Sequence, residues 1–350
     1  MPTTGCGPVV ALRFADGALW ALDQTLLPWR EVELELRCAG DVAAAIGRLS
    51  IRGAPLIGVA AAYGVALELG RDPGGLERAC ETLAGVRPTA VNLAHALQRV
   101  QTAVRDAPPG AAAARALAEA GAIEAEERSA SDSLAGHGAD LLAGSRRILT
   151  HCNTGALAAP GRGTALAVIA ELADRGGLEL VTAAESRPLL QGARLTVYEL
   201  RRLGIAHELI VDGAAAGLIA SGGFDAVLVG CDRVAANGDV ANKVGTYAHA
   251  LAAAAAGIPF VVAGPTSTID PACLSGAGIE IEQRDEAEVS AVLTGPDGLA
   301  RELTLAGTRC RNPAFDITPA SLVTALVTER GVARPAGGES VLALLGPRPA

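Results

Sequence analysis

Two stretches of the chain carry residue types that could move protons. In HCNTGALAAPGRGTAL, Cys152 stands between His151 and Asn153, just ahead of a small-residue turn and a helical stretch whose N-terminal dipole could lower a thiol pKa. In GCDRVAANGDVANKVGTYAHALA, Asp232 closes an apolar run, and a turn-rich loop ends in Asn242 and Lys243 at the expected start of a helix. The plainer readings are a helix cap or a partner of Arg233 for Asp232, and a solvated first-turn charge for Lys243. A cation there opposes the helix dipole unless an anion lies close by. Anion capture is the second chemistry on offer. SIRGAPLIGVAAAYG sets Arg52 before Gly53, Ala54 and Pro55, so a guanidinium and the N–H groups of a helix start can converge on a phosphate. VRPTAVNL supplies Arg87 ahead of Pro88. Arg52, Arg87 and Lys243 together suit a small phosphorylated substrate held between two domains.

Those residues need elements that bring them together. The first hundred residues mix strand-like runs (VVALRF, ALWALD, EVELEL) with a helical stretch from Asp41 to Leu69, an α+β start. A break at Pro108-Pro109-Gly110 precedes an Ala/Glu-rich segment that reads as one long connecting helix from about Ala111 to His137. After Ser145, apolar runs (RILTHC, LELVTAAE, HELIVDGA, DAVLVGCD, IPFVVAG) alternate with amphipathic helices such as GTALAVIAELADRG, GARLTVYELRRLG and KVGTYAHALAAAAAG, the pattern of a parallel sheet covered by helices. The expected fold is α/β. An N-terminal α+β domain, residues 1–125, contributes the phosphate-binding arginines, and a Rossmann-like, doubly wound parallel-sheet domain, residues 126–350, is catalytic. Each expected strand ends on a polar or reactive residue: Cys152, Glu185, Asp212, Asp232 and, just past the last, Thr266. Open parallel sheets bind ligands at that carboxyl edge. Glu185 and Asp212 could order loops there or bind sugar hydroxyls.

Composition removes several other classes. The chain has 350 residues, 50% of them hydrophobic and 19% charged, enough apolar material for a large folded core. A net charge of −9 with no dense Lys/Arg cluster argues against nucleic acid or an anionic membrane as partner. Neither a signal-like leader nor a long uninterrupted apolar span is present, so a soluble, cytoplasmic protein is expected. The seven cysteines are scattered and never spaced as CxxC, which indicates neither zinc nor a disulfide framework. Cys38, Cys80, Cys273 and Cys310 read as packing residues, His207 as a strand start and His249 as a helix surface. Cys231 also reads as packing, because strand alternation would turn it away from Asp232. No GxGxxG follows the first strand of the second domain and no GxxxxGK[ST] occurs, so a nucleotide cofactor loses its usual support.

LDQTLLP, IRGAPLIGVAAAYG, RPTAVNL, HCNTGALA, ESRPLLQGARLT, VGCDRVAANGDVANKVGTY and NPAFDITPASL, spread from Leu22 to Arg330, together resemble the methylthioribose-1-phosphate isomerase family. The wider family includes ribose-1,5-bisphosphate isomerases and regulatory subunits of the guanine-nucleotide-exchange initiation factor. The resemblance implies conversion of 5-methylthio-D-ribose 1-phosphate to 5-methylthio-D-ribulose 1-phosphate in methionine salvage, in a homodimer. It implies Cys152 and Asp232 as the catalytic pair, with Arg52, Gly53, Ala54, Arg87, Gln191, Asn242 and Lys243 binding substrate. The regulatory relatives generally lack the complete catalytic set, so its presence favours an enzyme over a non-catalytic sugar-phosphate or nucleotide-binding protein.

The residue types make chemical sense. A sugar phosphorylated on its anomeric oxygen cannot open to a free aldehyde, so ring opening needs an acid. Asp232 is the candidate, provided an apolar pocket keeps it protonated. Hydrogen then moves from carbon 2 to carbon 1, with Cys152 as base or as the group that stabilises developing charge. Neither route calls for a metal or a cofactor, and none is expected. Departures from the family pattern fall at Cys231, Pro160, Arg162 and His95. The last two bear on the substituent at carbon 5, so 5-deoxyribose 1-phosphate and ribose 1,5-bisphosphate are the alternative substrates. Arg162 is the candidate cation for a second phosphate.

Overall fold

A computed structural model describes residues 7–346 except 88, 89, 109, 294 and 296–298; Cys6, Pro88 and Pro109 lie outside the described residues. The chain opens with an antiparallel meander, β1 (Leu12–Ala15), β2 (Ala18–Leu22) and β3 (Glu33–Leu36). Five helices follow: α1 (Ala39–Gly47), α2 (Ala54–Arg71), α3 (Leu76–Ala84), α4 (Val91–Val104) and α5 (Ala112–Leu141). Helix α2 is apolar on nearly every side and is accordingly buried on nearly every side, with α1, α4 and α5 packed around it.

The helical stretch expected between Asp41 and Leu69 is two helices. The chain turns between them with Leu49 at φ 64° and Gly53 at φ 99°, and Pro55 then occupies the first turn of α2. A Cβ at Gly53 would lie 2.3 Å from the carbonyl oxygen of Ala158, so only glycine fits. The interruption is what leaves Arg52 and the start of α2 facing outward from the helical layer. The long connecting helix forms as expected and ends one turn later than its composition suggests. Its first half packs into the N-terminal core through Ala116, Ala120 and Ile123, and its second half packs on the sheet through Leu134 and Ala139.

The remaining elements are β4 (Arg147–Thr150), α6 (Ala165–Asp174), β5 (Leu180–Ala184), α7 (Val197–Arg202), β6 (His207–Ile210), α8 (Ala215–Ala220) and β7 (Ala226–Val229). They continue with β8 (Arg233–Ala235), β9 (Val240–Lys243), α9 (Thr246–Ala256), β10 (Phe260–Ala263), β11 (Ile269–Asp270), α10 (Ala287–Ser290), β12 (Ala291–Leu293) and β13 (Ala300–Glu302). The chain closes with β14 (Phe315–Thr318), β15 (Ala325–Thr328), β16 (Gly331–Ala333) and α11 (Gly338–Ala343). The main sheet has seven strands in the order β16-β15-β10-β7-β4-β5-β6, parallel throughout except for β16. Alternate residues serve opposite faces: Ile148, Leu228 and Val261 pack with α5 and α6, whereas Leu149, Val227 and Val262 pack with α8 and α9. The sheet is therefore covered on both sides, the doubly wound arrangement expected.

Strand order reverses between β4 and β7: β5 and β6 extend to one side, β10 and β15 to the other. Two crossovers leaving in opposite directions open a crevice at the carboxyl ends of β4 and β7. A second sheet, β11-β8-β9-β14, which the sequence reading did not anticipate, stands beside that crevice. It changes one expectation. Lys243 is the last residue of β9, paired with Phe315 on β14, rather than a first-turn helix residue. Gly245, with φ 104°, intervenes before α9 begins.

Two glycines of similar sequence context separate steric demand from helix propensity. Gly53→Ala is expected to lower unfolding free energy by about 2 kcal/mol or more, because a Cβ there meets backbone in a left-handed conformation. Gly70→Ala, in α2 with open space around it, should be neutral or stabilising by up to about 1 kcal/mol. Urea unfolding midpoints of the two variants check the contrast.

Candidate active site

All nine sequence-derived residues line one cleft at the β4/β7 crevice: Arg52, Gly53, Ala54, Arg87, Cys152, Gln191, Asp232, Asn242 and Lys243. They come from six separate stretches of chain. Cys152 lies two residues past the end of β4, is 7% exposed, and holds the left-handed region at φ 63°. A non-glycine residue stays there only when its surroundings hold it. Its N–H donates to Ser186 Oγ at 2.8 Å and its carbonyl accepts from Thr196 Oγ1 at 2.5 Å. The expected helix terminus at the thiol is not there. Helix α6 begins only at Ala165, and the first-turn N–H of Leu166 donates to Thr154 Oγ1 at 3.2 Å.

Behind Cys152 lies a buried imidazole pair. His151 Nε2 donates to the Val244 carbonyl at 2.9 Å, which leaves Nδ1 as an acceptor with Ser186 Oγ at 3.2 Å and His249 Nε2 at 3.3 Å within its reach. Burial pushes His151 down to about 4 and His249 down to about 3. The expected surface position of His249 is thus corrected: it sits on the face of α9 turned to the sheet and is 3% exposed.

Asp232 follows β7 by a short turn. Burial raises its carboxyl pKa, against the downward pull of Lys243, Arg52 and Arg87, and Glu282 adds to the rise. Arg233 is not its partner, since that guanidinium grips Asp270. Lys243 Nζ donates to the Ala314 carbonyl at 3.0 Å and lies 5.0 Å from the centre of the Phe315 ring. Burial lowers the Lys243 pKa, while neighbouring Cys152 and Asp232 hold it up. Cys231 corrects a further expectation. It lies past the end of β7, where alternation no longer applies, so it lines the cleft beside Asp232 as well as packing against the core. Its thiol touches Thr268 Oγ1 at 3.3 Å, and burial pushes it up to about 12.

The residues expected to bind an anion line the same cleft. Arg52 donates to Asn153 Oδ1 at 2.6 Å and to the Asn153 carbonyl at 3.0 Å. Helix α2 starts at Ala54 with no side-chain cap, so its N-terminal dipole opens into the cleft. Arg87 pairs with Glu282 at 2.9 Å, yet its buried Nε has no partner. Gln191, 5% exposed, likewise leaves Oε1 buried and unpartnered. Two orphaned polar atoms in one cleft wall point to a ligand that supplies their partners. Asn242 Nδ2 donates to Thr246 Oγ1 at 3.0 Å.

Several candidates lie elsewhere. Asp212 orders the loop after β5 by accepting from the Ser186 and Arg187 N–H groups at 2.8 and 2.7 Å, and neither it nor Glu185 lines the cleft. Thr266 holds Glu329 at a separate cavity, which His95 also lines. Arg162 pairs with Glu171 at 2.8 Å and Asp174 at 3.0 Å, away from the cleft, so the second-phosphate role expected of it has no structural basis. Sequence reasoning did not single out Arg284, Leu189 or Phe315, which also line the cleft, although Leu189 and Phe315 lie within the ESRPLLQGARLT and NPAFDITPASL motifs. It also missed Glu199, 3% exposed, which accepts from Asn153 Nδ2 at 2.7 Å. Only adjacency to Cys152 could have drawn attention to Asn153. Among the described residues no group of three or more His, Cys, Asp or Glu side chains is disposed to hold a metal ion.

A profile of the initiation factor 2 subunit family matches residues 50–335. A methylthioribose-1-phosphate isomerase of Syntrophotalea carbinolica is 48% identical over 92% of this chain and 95% of its own. A 5-deoxyribose 1-phosphate isomerase of Moorella thermoacetica is 46% identical over 97% of this chain and 98% of its own. The crystal structure of 5-methylthioribose 1-phosphate isomerase from Pyrococcus horikoshii superposes with a TM-score of 0.87 at 36% identity, covering 99% of this chain and 98% of that one.

The buried ionisable groups make opposite contributions with pH. Burial raises Glu199 to about 7, so its share of stability is present in acid and lost as pH rises through 7. Glu199→Gln should therefore gain on the wild type between pH 5 and pH 8, by about 2 kcal/mol or more. His151 and His249, held neutral in the fold, contribute stability above about pH 6.5 that disappears as pH falls toward 4. Denaturant titrations across that range read both limbs.

Proposed function

The chain belongs to the initiation factor 2 subunit family, and from that premise we propose that it isomerises 5-methylthioribose 1-phosphate to 5-methylthioribulose 1-phosphate through the cleft just described. In this reading the anomeric phosphate is held by Arg52, the open start of α2 at Gly53 and Ala54, and Arg87. Gln191 Oε1 and Asn242 hold sugar hydroxyls. Asp232, whose carboxyl burial pushes toward the protonated form, gives its proton to the ring oxygen, the bond from that oxygen to carbon 1 breaks, and carbon 1 becomes electron-deficient. Cys152 acts where hydrogen passes from carbon 2 to carbon 1, as base for a proton route or as stabilising charge for a hydride route. The carbon 2 hydroxyl loses its proton to the Asp232 carboxylate as the ketone forms, which restores the acid. Lys243, which feels the charge of both Asp232 and Cys152, balances the charge that passes between them.

The observation that carries this reading is the convergence of a raised carboxyl, a strained thiol position, three cations and two orphaned polar atoms on a single crevice at the strand-order reversal. The cleft wall also includes Leu49, Leu189, Ala158, Ala159 and Phe315, which suit a methylthio or methyl group at carbon 5 better than a phosphate. Arg284, the remaining cation in the wall, is already occupied by Glu288 and Glu282. A cytoplasmic location belongs to the same reading, supported by six free cysteines among the described residues and by the absence of any described helix long and apolar enough to cross a membrane. So does a homodimer, for which Leu218 on α8 and Tyr247 and Leu251 on the adjoining α9 provide exposed apolar surface.

Turnover of 5-methylthioribose 1-phosphate, 5-deoxyribose 1-phosphate and ribose 1,5-bisphosphate by the purified protein tests the substrate. The first two are expected to exceed the bisphosphate in kcat/KM by about 100-fold. Cys152→Ser and Asp232→Asn should each lower kcat by about 1000-fold with substrate still bound. Binding of a sugar phosphate with no turnover of any would turn the reading toward a non-catalytic regulator. A sedimentation mass of twice 35.1 kDa, falling to the single-chain value in Leu251→Glu, checks the dimer.

A further inference from the structure

Asn153 has no part in the chemistry set out above, yet it is held more tightly than the residues that do. Its Oδ1 and its own carbonyl oxygen accept two N–H groups from Arg52, at 2.6 and 3.0 Å. Its Nδ2 donates to Glu199 Oε1 at 2.7 Å and lies 3.4 Å from Thr196 Oγ1, which in turn donates to the Cys152 carbonyl. Glu199 is fixed from behind by the N–H groups of Ala156 and Leu157. Gly155 approaches so closely that a Cβ there would lie 2.4 Å from the Glu199 carboxyl oxygens. The amide therefore has one orientation available, with oxygen toward the arginine and nitrogen toward the acid.

We propose that Asn153 is a positioning residue for the isomerisation: it aims the Arg52 guanidinium into the cleft with no carboxylate paired to it, and ties that aim to the backbone of Cys152. The contrast with Arg87 carries the first half. Arg87 faces the carboxylate of Glu282 at 2.9 Å, so part of its charge is already answered. Arg52 is gripped by an amide oxygen and a peptide carbonyl, both neutral, so its orientation is set without a carboxylate on the fork that an anion would have to displace. Two parallel N–H···O contacts also fix the plane of the fork, which a single contact would not. The second half follows from the Thr196 bridge. Arg52 precedes α2 in the helical layer and Cys152 lies two residues past a sheet strand, and Asn153 with Thr196 is the short path between them. Phosphate held by Arg52 and hydrogen transfer at Cys152 must keep register to a fraction of an ångström, and this path sets it.

The proposal rests on the isomerase reading for what the cleft acts on, but its test does not. Dissociation constants for inorganic phosphate, measured by calorimetry, are compared for wild type, Asn153→Ser, Arg52→Lys and the double variant, beside KM and kcat on 5-methylthioribose 1-phosphate. Asn153→Ser should weaken phosphate binding and raise KM by about tenfold, and lower kcat by a similar factor as the register between Arg52 and Cys152 loosens. Arg52→Lys should lose a similar factor although it keeps the charge, because an ammonium cannot span both oxygens. In the Arg52→Lys background Asn153→Ser should then cost little more. Losses that multiply in the double variant, unchanged phosphate affinity in Asn153→Ser, or wild-type affinity in Arg52→Lys would each overturn the assignment. Arg52→Lys leaves the Asn153–Glu199 contact in place and so remains informative if Asn153→Ser does not fold. Absence of wild-type turnover would count against the isomerase reading alone, since the phosphate constants stand apart from it.

Discussion

Asp232 and Lys243 share a cleft in which burial disfavours the charge of both, and much of the structure exists to make that tolerable. Burial pushes the carboxyl toward its neutral form and the ammonium toward its neutral form, and each is steadied by the other's charge. Neither residue could be held this way by a surface loop. Asp232 is delivered by the end of a central strand, and Lys243 by a strand of the second sheet whose pairing with β14 places the Ala314 carbonyl under its ammonium. Removing the second sheet would leave a buried cation without its hydrogen bond, a loss comparable to breaking a buried ion pair.

The reversal of strand order supplies the space. Strands β4 and β7 are neighbours in the sheet although a long stretch of chain separates them, so Cys152 and Asp232 arrive side by side at the mouth of one crevice. Helix α2 then closes the crevice from the helical layer. Its entry is sharp because Gly53 takes a positive φ against the Ala158 carbonyl, and this contact sets Arg52 against Asn153. The arginine-bearing wall of the cleft and the wall that carries Cys152 and Asp232 thus depend on one close approach between two distant segments of the chain.

The relatives that share this architecture include enzymes acting on sugars that differ at carbon 5, and the cleft shows why the difference can be small. In the function proposed, the charged and hydrogen-bonding groups serve the phosphate, the ring oxygen and the hydroxyls. What remains in the wall is aliphatic or aromatic, where one sulfur or methylene more changes binding only modestly. The departures at Arg162 and His95 lie outside the cleft, so they leave this part of the reading undisturbed.

The sequence by itself determined the elements and the reactive types. Apolar runs of strand length, alternating with amphipathic helices, specify a parallel sheet, because periodicity is a local property that residues carry with them. The polar residues at the ends of those runs marked the working edge for the same reason. Tertiary structure decided which of the marked residues meet. Glu185 and Thr266 end strands just as Cys152 and Asp232 nearly do, but they flank other parts of the sheet, and only strand order distinguishes them. It also decided burial. His249 on an alanine-rich helix gave no local sign that it would face inward, Lys243 read as helical until β14 paired with its strand, and Asn153 gained its place only when Arg52 and Glu199 closed on it from distant segments. Such contacts depend on neighbours far apart in the chain, and no window of local sequence contains both partners.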